Sequence, residues 1–149
     1  MIVYAESSAV LSWLFAEPLG SEVCSILEAA DFVVTSDLTL VECHRAFQRG
    51  RSLEQLSTDA FMDVRIELDR VTASWIPLRL SDEILHRAKE PFPEEPIRAL
   101  DALHLATALH TVALFPETVL LTLDERVRRC ALALGIRVLP QNRSPSPNV

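Results

Sequence analysis

The chain has 149 residues, 49% of them hydrophobic and 23% charged, with a formal net charge of −7. That balance suits one packed domain, and no apolar run is long enough for a bilayer-spanning helix. The negative charge argues against broad electrostatic binding of nucleic acid, but not against a small nuclease whose acidic site meets phosphate through divalent cations. Thirteen arginines and a single lysine, Lys89, supply the positive charge.

In chain order, strands and helices alternate. A strand at about 2–5 runs into Glu6 and then a helix at about 7–16, with Ser7 or Ser8 placed to cap it; Pro18-Leu19-Gly20 breaks the pattern. The segment SEVCSILEAA puts Val23, Leu27 and Ala30 on one helical face, and FVV at 32–34 reads as a second strand. DLTLVECHRAFQ follows as a helix carrying Glu42, with Gly50 the expected stop. From Leu53 to Ala73 an apolar stripe at helical spacing predicts one long helix or two short ones, and WIPLRL a short strand. SDEILHRAKE opens with a serine cap and two acids, PFPEEP interrupts, and IRALDALHLATALH resumes as helix. TVLLTL is the clearest strand, DERVRRCALAL the last helix with Gly135 its stop, and IRVL the final strand. Residues 1–139 are thus expected to form one domain, and 140–149 a flexible tail.

This alternation predicts an α/β sandwich in three layers, with a mainly parallel central sheet between helices. In such sheets ligands bind beyond the carboxyl ends of the strands. Cys24, Cys43 and Cys130 are odd in number and far apart, which excludes a disulfide framework and leaves them as small core residues. None of the four histidines has a zinc-binding spacing, and three glycines cannot make a nucleotide-binding loop. The N-terminus lacks the basic start and unbroken apolar stretch of a secretory signal, so the cytoplasm is the expected compartment.

Four acids stand among apolar neighbours: Glu6 in YAESSAV, Glu42 in TLVECHRAF, Asp101 in RALDALHLATAL and Asp124 in LLTLDERV. Each has an ordinary explanation. Glu6 and Asp124 suit helix starts, Glu42 is spaced to pair with Arg45, and Asp101 with Arg98. Together they admit a second reading: with the first and fourth strands adjacent, several carboxylates converge at one sheet edge and demand a hard cation, Mg²⁺ or Mn²⁺.

The succession Y-x-acid-x-S-A-V, S-x-L-x-x-x-E, R-x-x-D-A-L-H-L-A-T-A, T-x-D-x-R and A-x-x-x-G-I-x-V resembles the PIN-domain ribonucleases, especially the toxins of VapBC toxin–antitoxin pairs, over about residues 1–139. The resemblance implies metal-dependent endoribonuclease activity on single-stranded RNA, with Mg²⁺ or Mn²⁺ as cofactor, an antitoxin partner and a homodimer. By position it makes Glu6, Glu42, Asp101 and Asp124 catalytic and gives Glu6, Asp101 and Asp124 to the metal. Ser8 and Thr122 match hydroxyl positions near it, and Arg98 is placed to steady Asp101 or meet phosphate. Glu6 stands where the family has aspartate, which implies an alternative: an impaired PIN-like module that binds RNA or an antitoxin without cleaving.

Overall fold

The computed structural model describes residues 1–141. The expected tail from residue 140 onward lies, apart from Pro140 and Gln141, outside the described residues. The strands are β1 (Ile2–Ala5), β2 (Phe32–Ser36), β3 (Ile76–Leu78), β4 (Val119–Leu121) and β5 (Arg137–Leu139). The helices are α1 (Ser7–Leu14), α2 (Gly20–Glu28), α3 (Asp37–Ser52), α4 (Thr58–Thr72), α5 (Asp82–Ala88), α6 (Ala99–Leu114) and α7 (Glu125–Ala133). No helix among the described residues is long and apolar enough to cross a membrane.

All strand pairings are parallel, in the order β3-β2-β1-β4-β5. The chain builds outward from β1 through β2 to β3, then crosses back to β4 on the other side of β1. That reversal opens a crevice between the carboxyl ends of β1 and β4, where ligands settle in open α/β sheets.

Alternation along β1 explains the three layers. Ile2 and Tyr4 pack with Val34, Leu120 and Val138 against α6 and α7, through Ala102, Leu105, Ala108, Val127 and Cys130. Val3 and Ala5 point the other way. Ala5 and Val33 meet Val10 of α1, Cys43 and Phe47 of α3, and Phe61 and Leu68 of α4; Val3 and Leu121 meet Ala9 and Val23. Period-two side chains on a strand covered on both faces must all be apolar, and β1 is buried throughout. Each large side chain enclosed this way contributes about 1.5–3 kcal/mol.

Three local expectations are corrected. The cap of α1 is Glu6, not a serine: its carboxylate accepts from the backbone N–H of Ser8. Gly50 does not stop α3, which continues to Ser52; the glycine instead lets Leu56 pack closely, and a Cβ there would lie 2.8 Å from Leu56 Cδ1. Cys24 is only half-buried, unlike Cys43 and Cys130. Gly135 does end α7, at a φ of +79° that a side chain would oppose.

Candidate active site

Glu6 leaves the end of β1, and its own N–H continues the ladder to Leu121 O of β4 at 3.1 Å. The Oγ1 atoms of Thr35 and Thr39 donate to Ala5 O at 3.2 and 3.3 Å, pinning this strand end to β2 and α3. Across the crevice, Thr122 and Leu123 lead from β4 to Asp124, which caps α7 by accepting from Arg126 N and Val127 N at 2.8 and 3.1 Å. Buried Arg128 donates from Nη2 to Thr122 O at 3.2 Å and fixes that turn.

The Glu6 side chain is 3% exposed and folds back over its own helix start. It accepts from Ser7 Oγ at 2.7 Å, Ser8 N at 3.1 Å, Thr122 Oγ1 at 2.8 Å and the Ser8 hydroxyl. Ser8 Oγ in turn accepts from Leu123 N at 2.8 Å and Asp124 N at 3.1 Å. Ser8 and Thr122 therefore join the two strand ends through Glu6. A carboxylate has about four lone-pair directions, and four donors occupy those of Glu6.

His104 is the residue that sequence reasoning missed. It lies one turn beyond Asp101 on α6 and is 2% exposed. Nε2 is 2.5 Å from Glu42 Oε2 and 3.6 Å from Glu6 Oε1, and Nδ1 is 3.2 Å from the Tyr4 hydroxyl, which donates to Ser36 Oγ. Burial pushes the imidazole toward neutrality, but the hydrogen bond to Glu42 and the charges of Glu6, Glu42 and Asp101 outweigh it and raise its pKa. Burial likewise pushes Glu42 up, and the hydrogen bond and charge of His104 reverse that and hold it below the usual carboxylate range. With the Tyr4 proton committed to Ser36, an imidazolium donating from both nitrogens satisfies every partner. The expected Glu42–Arg45 pair is thus replaced by Glu42–His104. The signal was the histidine three residues after an acid on an apolar helix face.

Asp101 and Asp124 share a different cation. Arg126 Nε lies 3.6 Å from Asp101 Oδ2, and its Nη2 lies 3.9 Å from Asp124 Oδ2. Arg126 therefore takes the ion pair expected of Arg98, which acts on Asp101 only as a more distant charge. Burial, with the charge of Asp124 beside it, raises the Asp101 pKa against the pull of Arg126 and Arg98. Asp101 Oδ2 is buried and accepts no hydrogen bond from a described residue.

The four acids accordingly fall in two pairs, Glu6 with Glu42 around His104 and Asp101 with Asp124 around Arg126, and the charge of Glu6 is felt at Asp101. Among the described residues, Glu6, Glu42 and His104 bring three potential ligand atoms within 4.8 Å of one another. An ionised Glu42 can only accept, so His104 Nε2 carries its proton toward it and has no lone pair for a metal, which leaves the carboxylates as the donors. Hard oxygen atoms in this number, with one buried and lacking a hydrogen bond, fit a divalent cation. Outside Glu42 an open groove of about 820 Å³ runs along α3, lined by Val41, Arg45, Arg49 and Leu100 among others.

Comparison with known proteins gives concordant results. The PIN domain family model matches residues 3–132. Ribonuclease VapC35 of Mycobacterium tuberculosis is 29% identical over 140 residues, spanning 93% of this chain and 96% of that protein. The fold is shared with VapC20 of M. tuberculosis, described as a toxin cleaving the sarcin–ricin loop, at a TM-score of 0.62 and 12% identity over 85% of this chain and 93% of that one. It is also shared with VapBC2 from Rickettsia felis, solved bound to a promoter DNA fragment, at a TM-score of 0.61 and 14% identity over 93% and 97% of the two chains.

Proposed function

The chain belongs to the PIN-domain family, as a ribonuclease of the VapC type, and from that premise we propose that it is a metal-dependent endoribonuclease acting as the toxin of a toxin–antitoxin pair. The observation that carries the metal is the Asp101 carboxylate, whose Oδ2 atom is buried with no hydrogen-bond donor and whose pKa is raised by burial and by the charge of Asp124. Asp101, Asp124 and Glu6 would hold Mg²⁺ or Mn²⁺, Glu6 by releasing a hydroxyl or through water. The bound cation supplies charge neutralisation at the phosphate and an activated water.

The chain's own residues do the positioning. His104 holds Glu42 by its Oε2, leaving this partly exposed carboxylate to orient a water for in-line attack on phosphorus. Ser8 and Thr122 keep Glu6 and Asp124 in register across the strand ends. Tyr4 and Ser36 fix the ring of His104. The groove along α3, with Val41 and Leu100 exposed beside Arg45 and Arg49, suits an antitoxin segment or the substrate strand. A homodimer and a cytoplasmic location complete the reading.

Isothermal titration with Mn²⁺ and cleavage of single-stranded RNA test it together. Wild type binds the ion and cleaves, and Asp101→Asn loses both; absence of Mn²⁺ heat in wild type would overturn the proposal. The saturated hydrogen bonding of Glu6 favours one second reading, a non-cleaving module that still engages RNA or antitoxin. Under it, wild type binds RNA without cutting, and Glu6→Asp, which restores the family's residue, gains cleavage.

A further inference from the structure

A second cavity, of about 460 Å³, shares no residue with the α3 groove and adjoins the Asp101 ion pair through Arg126. Arg98, Arg126 and Arg129 line it with the loop Glu94–Ile97. The chain carries 21 acids against 14 basic side chains, so arginines near one another would be expected to find carboxylate partners. Here they do not. Arg98 and Arg129 are exposed and have no hydrogen bond or ion pair with a described residue. The acid best placed to neutralise them, Glu95, is turned into its own loop, where it accepts from Phe92 N at 3.1 Å and Ile97 N at 2.7 Å. Glu94 also lines the cavity and is exposed at its rim. Arg126 is held to Asp101 and Asp124 only at 3.6 and 3.9 Å, too long for hydrogen bonds, so its guanidinium donors are available to another acceptor.

We propose that this cavity is a phosphate seat: Arg98, Arg126 and Arg129 bind a backbone phosphate of the RNA strand next to the scissile bond. Planar guanidinium forks match phosphate oxygens and are weakly hydrated, so they suit an oxyanion better than bulk cations would. Contact with the sugar–phosphate backbone positions a strand without reading its sequence. Arg126 gives the seat a link to the acids: a phosphate arriving in the cavity and a cation arriving at Asp101 and Asp124 each relieve it of its other partner. The inference rests on the ribonuclease reading and assigns part of the substrate path within it.

The test measures binding of a short fluorescein-labelled single-stranded RNA by anisotropy in EDTA, across a salt series, for wild type, Arg98→Gln, Arg129→Gln and the double variant. Arg137→Gln serves as a charge control, because Arg137 sits at the start of β5, at the opposite end of the strands, where it donates to Glu117 O. Each seat variant should weaken binding about three- to tenfold and reduce the slope of log affinity against log salt by roughly 0.7, the value for one phosphate contact on a single strand. Arg129→Lys should keep the slope and lose part of the affinity. Arg137→Gln should change neither. Equal losses in Arg137→Gln and Arg129→Gln would reduce the effect to bulk charge and overturn the seat. Unchanged binding in the double variant, alongside intact Mn²⁺-dependent cleavage, overturns the seat and leaves the ribonuclease standing. If wild type neither cleaves with Mn²⁺ nor binds the RNA, both readings fall.

Discussion

Replacing Glu6 by alanine removes one acceptor from four donors: the hydroxyls of Ser7, Ser8 and Thr122 and the backbone N–H of Ser8. The N-cap of α1 alone is worth about 1 kcal/mol. Hydrogen bonds to a charged group contribute about 1.5–3 kcal/mol each, but hydroxyls rotate toward other acceptors. Ser8 Oγ and Thr122 Oγ1 are 3.3 Å apart and can bond each other, so only about one hydroxyl bond goes unrecovered. Relief of repulsion among the acids offsets little, because His104 loses one of its two nearest carboxylates. The sum is a loss of about 3 kcal/mol, or a melting temperature lower by about 6–12 °C for a domain of this size. Glu6→Gln keeps an acceptor for Ser8 N and an amide that rotated hydroxyls can meet, so it should cost about 1 kcal/mol. Urea and thermal unfolding in EDTA at neutral pH measure both. Alanine as stable as glutamine, or more stable than wild type, would refute the claim that Glu6 knits the two strand ends together.

Further consequences are equally measurable. The raised pKa of His104 means its contribution is complete below the unfolded value of about 6.5 and fades as pH rises through the folded value; the lowered pKa of Glu42 means its contribution is present above about 4.3 and fades as pH falls. The metal-free protein should therefore draw most stability from this pair between those limits and weaken from about pH 6.5 upward. Urea midpoints that stay level or rise from there to mildly alkaline pH would contradict this. Asp101→Asn removes a carboxylate that burial and Asp124 disfavour, so it should raise metal-free stability, by less than about 1 kcal/mol given the loss of attraction to Arg126, while abolishing stabilisation by Mn²⁺ in a thermal shift assay. Gly20→Ala sets a Cβ 2.6 Å from the Ser12 carbonyl oxygen and 3.0 Å from Trp13 Cα, a backbone clash costing about 1–3 kcal/mol. Gly50→Ala meets only the movable Leu56 side chain, and helix propensity returns about 1 kcal/mol, so unfolding should place it near wild type.

Much of the architecture is local in origin and could be read along the chain. Short apolar runs bounded by turn residues, such as Phe32–Ser36 and Val119–Leu121, read as buried strands, and serine before an acidic first turn marks α5 as Ser81 caps it. The same locality exposed the four acids, because a carboxylate inside an apolar run is costly unless something uses it. The misjudged helix end at Gly50 shows the limit: whether a glycine terminates a helix or admits a neighbour depends on what packs there, and Leu56 does.

The charge partners belong to the tertiary structure alone. Glu42 and His104 are 62 positions apart, and Tyr4 meets His104 across 100, so no helical spacing relates them. They meet because β1 lies between β2 and β4, an order that follows from one crossover and not from any single segment. Which residues carry charge into the interior, and which elements hold them, is already written along the chain. The assembled sheet decided which cation stands beside each carboxylate, since Coulomb energy depends on separation in space, and that separation exists only once the strands are placed side by side.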